Sequence, residues 1–172
     1  MLKILELSDF DQMYHLMESS FPRNERRPYA AQKALFDEPA YRVYAHYDDA
    51  HNLLAFLAVW DFDRFAFVEH FAVKEERRNS GLGCRLLQEL KSLLHKPLCL
   101  EAELPDNELA QRRIGFYQRN GFCENPYPYI QPALAADQSP IPLCIMTSPA
   151  PISQQDFINL QDTLYQKVYK VK

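Results

Sequence analysis

Between Val73 and a leucine-rich run stands Arg78-Asn79-Ser80-Gly81-Leu82-Gly83, with Arg77 before it and Cys84 after it. Residues of these types at the start of a helix make an anion site. The first helical turn leaves N–H groups without intrahelical partners, the helix dipole favours negative charge there, and glycine lets a phosphate approach the backbone closely. Arg77 and Arg78 add local positive charge. The chain has only four glycines, Gly81, Gly83, Gly115 and Gly121, where an average usage of roughly 7% would supply about 12 in 172 residues. Glycine in a helical turn costs about 1 kcal/mol against alanine. Two of four glycines spent there argue for a backbone that must be reached, against the plainer alternative of a tight entry into the helix. Two phosphate motifs are excluded: the Lys-Ser/Thr of a P-loop is missing, and so is the third glycine of a dinucleotide fingerprint.

Other groups suited to proton transfer or charge recognition lie nearby. In GFYQRNGF, residues 115–122, Tyr117 stands four positions before Gly121. In FAFVEHFAV, strand alternation puts Glu69, Phe71 and Val73 on one side and His70 and Ala72 on the other. Glu101 and Glu103 of LEAEL share one strand face. They form either an acidic pocket for a cationic group or partners for Arg112 and Arg113 on the next helix. Cys84 suits a packing or loop role better than that of a nucleophile. The five histidines and four cysteines show no metal-ligand spacing, so no metal is expected.

The elements that carry these residues can be read from periodicity. Residues 2–7 read as a strand, followed by an amphipathic helix with Ser8 and Asp11 at capping-box spacing and Phe10, Met13, Met17 and Phe21 on one face. Pro22 stops that helix. The charge run Arg23–Pro28 reads as a solvated loop, leading to a second short helix that ends before Pro39. Residues 41–47, 53–62 and 65–73 read as an antiparallel meander joined by short turns. From Leu82 the period becomes helical, with Leu86, Leu87, Leu90, Leu93 and Leu94 on one face. Pro97 ends that helix. A strand at 98–104, a helix from the PDNE turn to about Asn120, and strands at 122–130 and 141–147 follow. A final helix opens at Ser153 with Phe157, Leu160, Leu164, Val168 and Val171 on one side.

The R-x-x-G-x-G segment after a strand and opening a helix resembles the acyl-CoA-binding motif of the GNAT superfamily of N-acetyltransferases. GFYQRNGF resembles its second signature, an aromatic-Tyr-x-x-x-Gly-Phe segment closing a helix, and the order of elements fits over almost the whole chain. The resemblance implies an α/β fold with a mixed, mostly antiparallel sheet of about seven strands. The sheet would have a V-shaped opening between the fourth and fifth strands, flanking helices and an added C-terminal helix. It implies acetyl-CoA as co-substrate: main chain of Phe71, Ala72 and Val73 along the pantetheine arm, and Arg78, Asn79, Ser80, Gly81, Leu82, Gly83 and Cys84 around the pyrophosphate. Tyr117 would be the general acid and Glu69 a base acting through water, with His70 the second candidate if the register is reversed. Glu101 and Glu103 would attract the acceptor. The chain departs from many relatives in having Ala110 where they carry an Asn that contacts the cofactor, and Asn107 does not have to replace it.

Composition bounds the rest. A net charge of -4 supplies no global basic field for nucleic acid, and no apolar stretch reaches the roughly 20 residues that cross a bilayer. The expectation is a cytoplasmic protein with no membrane partner. It is expected to be a single domain over 1–172 with 149–172 as a helical extension, and a homodimer is compatible with it. The expected activity is N-acetyl transfer by direct attack of a primary amine on the thioester, the acceptor a small amine. Acetylation of a protein N-terminus or lysine is one alternative, and a non-catalytic acyl-CoA-binding regulator is the other.

Overall fold

The computed structural model describes residues 1–171. They fall into two compact units divided between Lys96 and Pro97. Lys172, the last residue of the expected helical extension, lies outside the described residues.

The first unit is built on an antiparallel meander, β2 (Tyr41–Tyr47), β3 (Leu53–Asp61) and β4 (Ala66–Val73), with β1 (Lys3–Ile4) at the edge of β2. From Leu53 to Trp60 every residue of β3 is buried, the pattern of a strand covered on both faces. Helix α1 (Phe10–Ser20) lies against β3 and β4 and buries Phe10, Met13, Tyr14, Leu16 and Met17, residues that recur at helical spacing. A short α2 (Tyr29–Ala34) follows, and α3 (Leu82–Leu94) contacts β4.

Three sequence expectations change here. The first strand is only two residues long, because Leu7–Asp9 is already a 3-10 turn. The turn leaves Ser8 no capping role: α1 follows Asp9 with no side-chain cap. Leu93, expected on the buried face of α3, is 51% exposed. The hairpin turns manage without glycine. Between β2 and β3 the Asp48 carboxylate accepts from the Ala50 and Asn52 amides, and His51 takes the left-handed φ of 62° that glycine would more cheaply supply.

The second unit holds β5 (Leu98–Glu103) antiparallel to β8 (Ile141–Ser148), whose other edge pairs with β6 (Cys123–Glu124) and β7 (Tyr129–Gln131). The strand expected at 122–130 is thus two short strands, and Pro126 and Pro128 lie in the gap between them, where proline interrupts ladder bonding. Buried Asn125 ties this gap down, donating to the Ile145 carbonyl at 3.1 Å and to Thr147 Oγ1 at 3.0 Å while accepting from the Ile152 amide at 2.9 Å. Helix α4 (Glu108–Arg119) is capped by Asn107, whose side chain accepts from the Ala110 amide at 2.9 Å. The structure therefore accounts for Asn107 as an N-cap. Ser153 caps α5 (Gln154–Thr163) as the sequence predicts, accepting from the Asp156 amide. Phe157, Leu160, Leu164 and Val168 are buried as expected, while Val171 is 37% exposed, beyond the wider turn Leu164–Val168 that ends the helical path.

The four cysteines differ sharply. Cys99 and Cys144 are buried, Cys123 is half-buried and Cys84 is exposed. Burial, with a nearby carboxylate as the smaller cause, holds the Cys99 thiol well above its ordinary range and raises Cys144 to about 11.

Candidate active site

The start of α3 is an open anion cradle. Two left-handed residues turn the chain into the helix, Asn79 with φ 59° and Gly81 with φ 78°, a conformation that costs glycine little. Nothing lies within 4 Å of the position a Cβ on Gly81 would occupy. No side chain caps this helix. The Leu82 and Gly83 amides have no hydrogen-bond partner among the described residues, and Arg77, Arg78, Asn79 and Ser80 are exposed. Arg78 Nε donates to the Val73 carbonyl at 3.1 Å, and Ser80 Oγ donates to the Arg77 carbonyl at 2.7 Å. The loop is folded on itself while the Leu82 and Gly83 amides stay open among the described residues. Such a cradle fits a diphosphate.

On β4 the structure shows something the sequence concealed. Ala58 pairs with His70 and the next residue, Val59, pairs with Val68, so Glu69 is the extra residue of a β-bulge. Its side chain is only 3% exposed. Oε1 accepts from Arg27 NH1 at 2.5 Å and Oε2 from Trp60 Nε1 at 3.0 Å. Burial works to raise the Glu69 pKa, but the Arg27 guanidinium and the Trp60 hydrogen bond outweigh it and hold it below the ordinary value. With both oxygens engaged and its basicity lowered, this carboxylate is poorly suited to accept a proton. A role for Glu69 as a base acting through water would have to work against these two bonds. His70 is buried, with Nε2 donating to the Glu25 carbonyl at 2.7 Å and its ring edge-on to Phe21. Burial lowers its pKa, so it is a neutral core imidazole. The alternation from His70 onward is as predicted, His70 and Ala72 buried, Phe71 and Val73 half-buried.

The charge run Arg23–Pro28 is also corrected: it is not a solvated loop throughout. Arg27 is buried against Glu69, and Arg26 NH1 lies 3.2 Å from Glu18 Oε1 and donates to the Tyr14 hydroxyl. The signal that could have been read was a basic run in one segment and a single carboxylate in a strand that is apolar but for His70.

In the second unit, Tyr117 sits in the last turn of α4, held by the way that helix ends. The Phe122 amide donates to the Tyr117 carbonyl and the Gly121 amide to the Gln118 carbonyl, both at 3.0 Å, with Gly121 at φ 78°. This is a Schellman closure. Its customary apolar contact is made by the Tyr117 and Phe122 rings, 5.8 Å apart. The Tyr-x-x-x-Gly-Phe spacing thus has a local physical reason. The Tyr117 hydroxyl has no hydrogen-bond partner among the described residues. Burial, opposed in part by Arg113, pushes its pKa up to about 12.

Glu101 and Glu103 both have partners. Arg113 NH1 donates to Glu103 Oε2 at 2.6 Å, the ion pair that the sequence left as one of two readings. Glu101 accepts from the hydroxyls of Tyr129 and Tyr169, the latter at 2.7 Å. An open acidic pocket is not what these contacts describe. Gly115 has no rigid packing role, since a Cβ there would meet only the tip of Arg119, at 3.2 Å. No group of three or more metal-ligating side chains occurs among the described residues, and no helix is long and apolar enough to cross a membrane.

Comparison with known proteins bears on the whole arrangement. A candidate acetyltransferase of Bacillus subtilis (strain 168), YjbC, is 28% identical over 162 residues, covering 92% of this chain and 82% of that protein. The structure of a GNAT-family candidate acetyltransferase from Bacteroides thetaiotaomicron superposes with a TM-score of 0.91 at 32% identity, covering 100% of this chain and 99% of that one. An aminoglycoside 6'-N-acetyltransferase crystallised with coenzyme A shares the fold at a TM-score of 0.67 and 14% identity, over 90% of this chain and 99% of that one. The acetyltransferase (GNAT) family matches residues 10–122. With a strand, a glycine-opened helix and a Schellman-closed tyrosine helix in place, the chain belongs to the GNAT family of acetyltransferases, which use acetyl-CoA.

Proposed function

We propose that this acetyltransferase acetylates a small primary amine, with the amino end of α3 holding the pyrophosphate of acetyl-CoA and Tyr117 serving as proton donor. When bound, acetyl-CoA supplies an acyl thioester open to direct attack by an amine. The observation that carries the reading is the cradle at α3. Its Leu82 and Gly83 amides lack partners among the described residues, the space over Gly81 is open, and Arg78, Asn79, Ser80 and Cys84 border it. These residues bind by N–H donation and charge. The main chain of Phe71, Ala72 and Val73 would take the pantetheine arm as an added strand.

Tyr117 keeps its proton at Oη to about pH 12, and no neighbour among the described residues competes for it. It can therefore hold a proton until a thiolate leaves and give it up there. Glu69 is not given the proton-accepting role, because Arg27 and Trp60 occupy it. Enzymes that share the fold include one named for aminoglycosides and one named for an alanine of a ribosomal protein, so the acceptor has to be read from turnover. A CoA-release screen over polyamines, amino acids, aminoglycosides and peptides tests the small acceptor. Turnover confined to peptides would replace the small acceptor with a protein one. A blank screen alongside tight acetyl-CoA binding would leave a binding domain without catalysis.

A further inference from the structure

The segment Phe21–Pro28 touches β4 at two consecutive residues. Arg27 NH1 reaches Glu69, the Glu25 carbonyl accepts from His70 Nε2, and the Phe21 ring sits 4.8 Å from the His70 ring. The far side of the segment is fixed as well: the Tyr14 hydroxyl donates to the Arg27 carbonyl and Arg26 NH1 donates to that hydroxyl, each at 3.1 Å. Glu69 and His70 are the bulge and the residue after it, immediately before Phe71–Val73. A bulged residue is left out of the ladder, so side-chain bonds have to fix its conformation. A buried ion pair contributes little stability that well-packed apolar side chains would not, and what it does confer is direction. An ion pair so placed would determine the path by which β4 enters its last three residues.

We propose that Phe21–Pro28 is a strap that sets the geometry of the carboxyl end of β4, with Arg27 and Glu69 positioning residues for acetyl-CoA and no part of the proton-transfer machinery. The proposal rests on the reading that main chain of Phe71–Val73 receives the pantetheine arm.

The test uses the full chain and three variants, E69Q, R27M and R27M/E69M. Three measurements are made: acetyl-CoA affinity by calorimetry, amide exchange over residues 21–28 and 69–73 without ligand, and the pH dependence of kcat with an acceptor from the screen. R27M strands a buried carboxylate and is the variant most prone to unfold; R27M/E69M removes both charges and keeps the test usable. Each variant is expected to weaken acetyl-CoA binding about tenfold, the lower end for residues that orient a ligand-contacting group. Exchange at residues 71–73 should quicken, and kcat of E69Q should keep its value and its acid limb. Loss of both in E69Q would make Glu69 a base and overturn the proposal. Unaltered affinity and exchange in a folded R27M/E69M would overturn it too, and quickened exchange with unaltered affinity would break the link between strap and ligand. Failure of the unaltered protein to bind acetyl-CoA would instead sink the cofactor reading on which the proposal stands.

Discussion

Tyr117 and Glu69 show how differently neighbours treat two ionisable side chains that a sequence gives only as types at positions. Tyr117 is raised by burial and has no bonding partner for its hydroxyl among the described residues, so Tyr117→Phe removes the proton and little else. Turnover should fall by about a hundredfold or more with acetyl-CoA affinity unchanged; full turnover in the variant would exclude Tyr117 from the reaction. Glu69 and His70 carry a different prediction, about stability and pH. Burial lowers the folded pKa of His70 below its ordinary 6.5, and the Arg27 pair overcomes burial to lower that of Glu69 below 4.5. In both cases the unfolded chain binds the proton more readily. The stability each contributes is therefore complete above its ordinary pKa and lost as pH falls through the lowered one. Urea midpoints should decline in two stages, the first below pH 6.5 and the second below 4.5, and His70→Gln should remove the first. The candidate residues were legible as types at positions, but their partners were not. Arg27 meets Glu69 across 42 residues, and nothing in local spacing encodes such a pairing.

At the level of elements, the two ends of α4 can be tested separately. Asn107→Ala removes an N-cap and should cost about 1 kcal/mol without affecting turnover, since the cap lies at the opposite end of α4 from Tyr117. Gly121→Ala forces a Cβ into the left-handed region, at about 1–2 kcal/mol, and disturbs the closure that holds Tyr117. It should lower stability and kcat together, and a kcat that survives would separate the Schellman geometry from catalysis. Helices α3, α4 and α5 and the meander were readable from period and capping, because their signals are local. The short strands were not. Residues 122–130 carry β-forming Phe122, Tyr127, Tyr129 and Ile130, yet the prolines and the Asn125 bonds between them leave two short strands. The bulge at Glu69 was hidden for a related reason, since an extra residue is defined only against the partner strand.

For the molecule as a whole, membership of an acetyl-CoA-using family makes ligand-linked stability the broadest check. Saturation at 100 times Kd stabilises a folded protein by about 2.7 kcal/mol, and a chain of this size gains about 2–4 °C per kcal/mol. Acetyl-CoA should therefore raise Tm by about 5–10 °C, and no shift at saturation would remove the cofactor assignment. The uneven burial of the cysteines offers a finer readout. Two thiols are sealed in the interior with raised pKa, a third is half-covered, and Cys84 stands exposed in the first turn of α3 beside the proposed phosphate cradle. The protein thus carries its own occupancy reporter: under limiting iodoacetamide Cys84 should alkylate first, and acetyl-CoA should slow that reaction while leaving Cys123 untouched. Mass spectrometry of the native chain could then follow filling of the cradle before any acceptor is known.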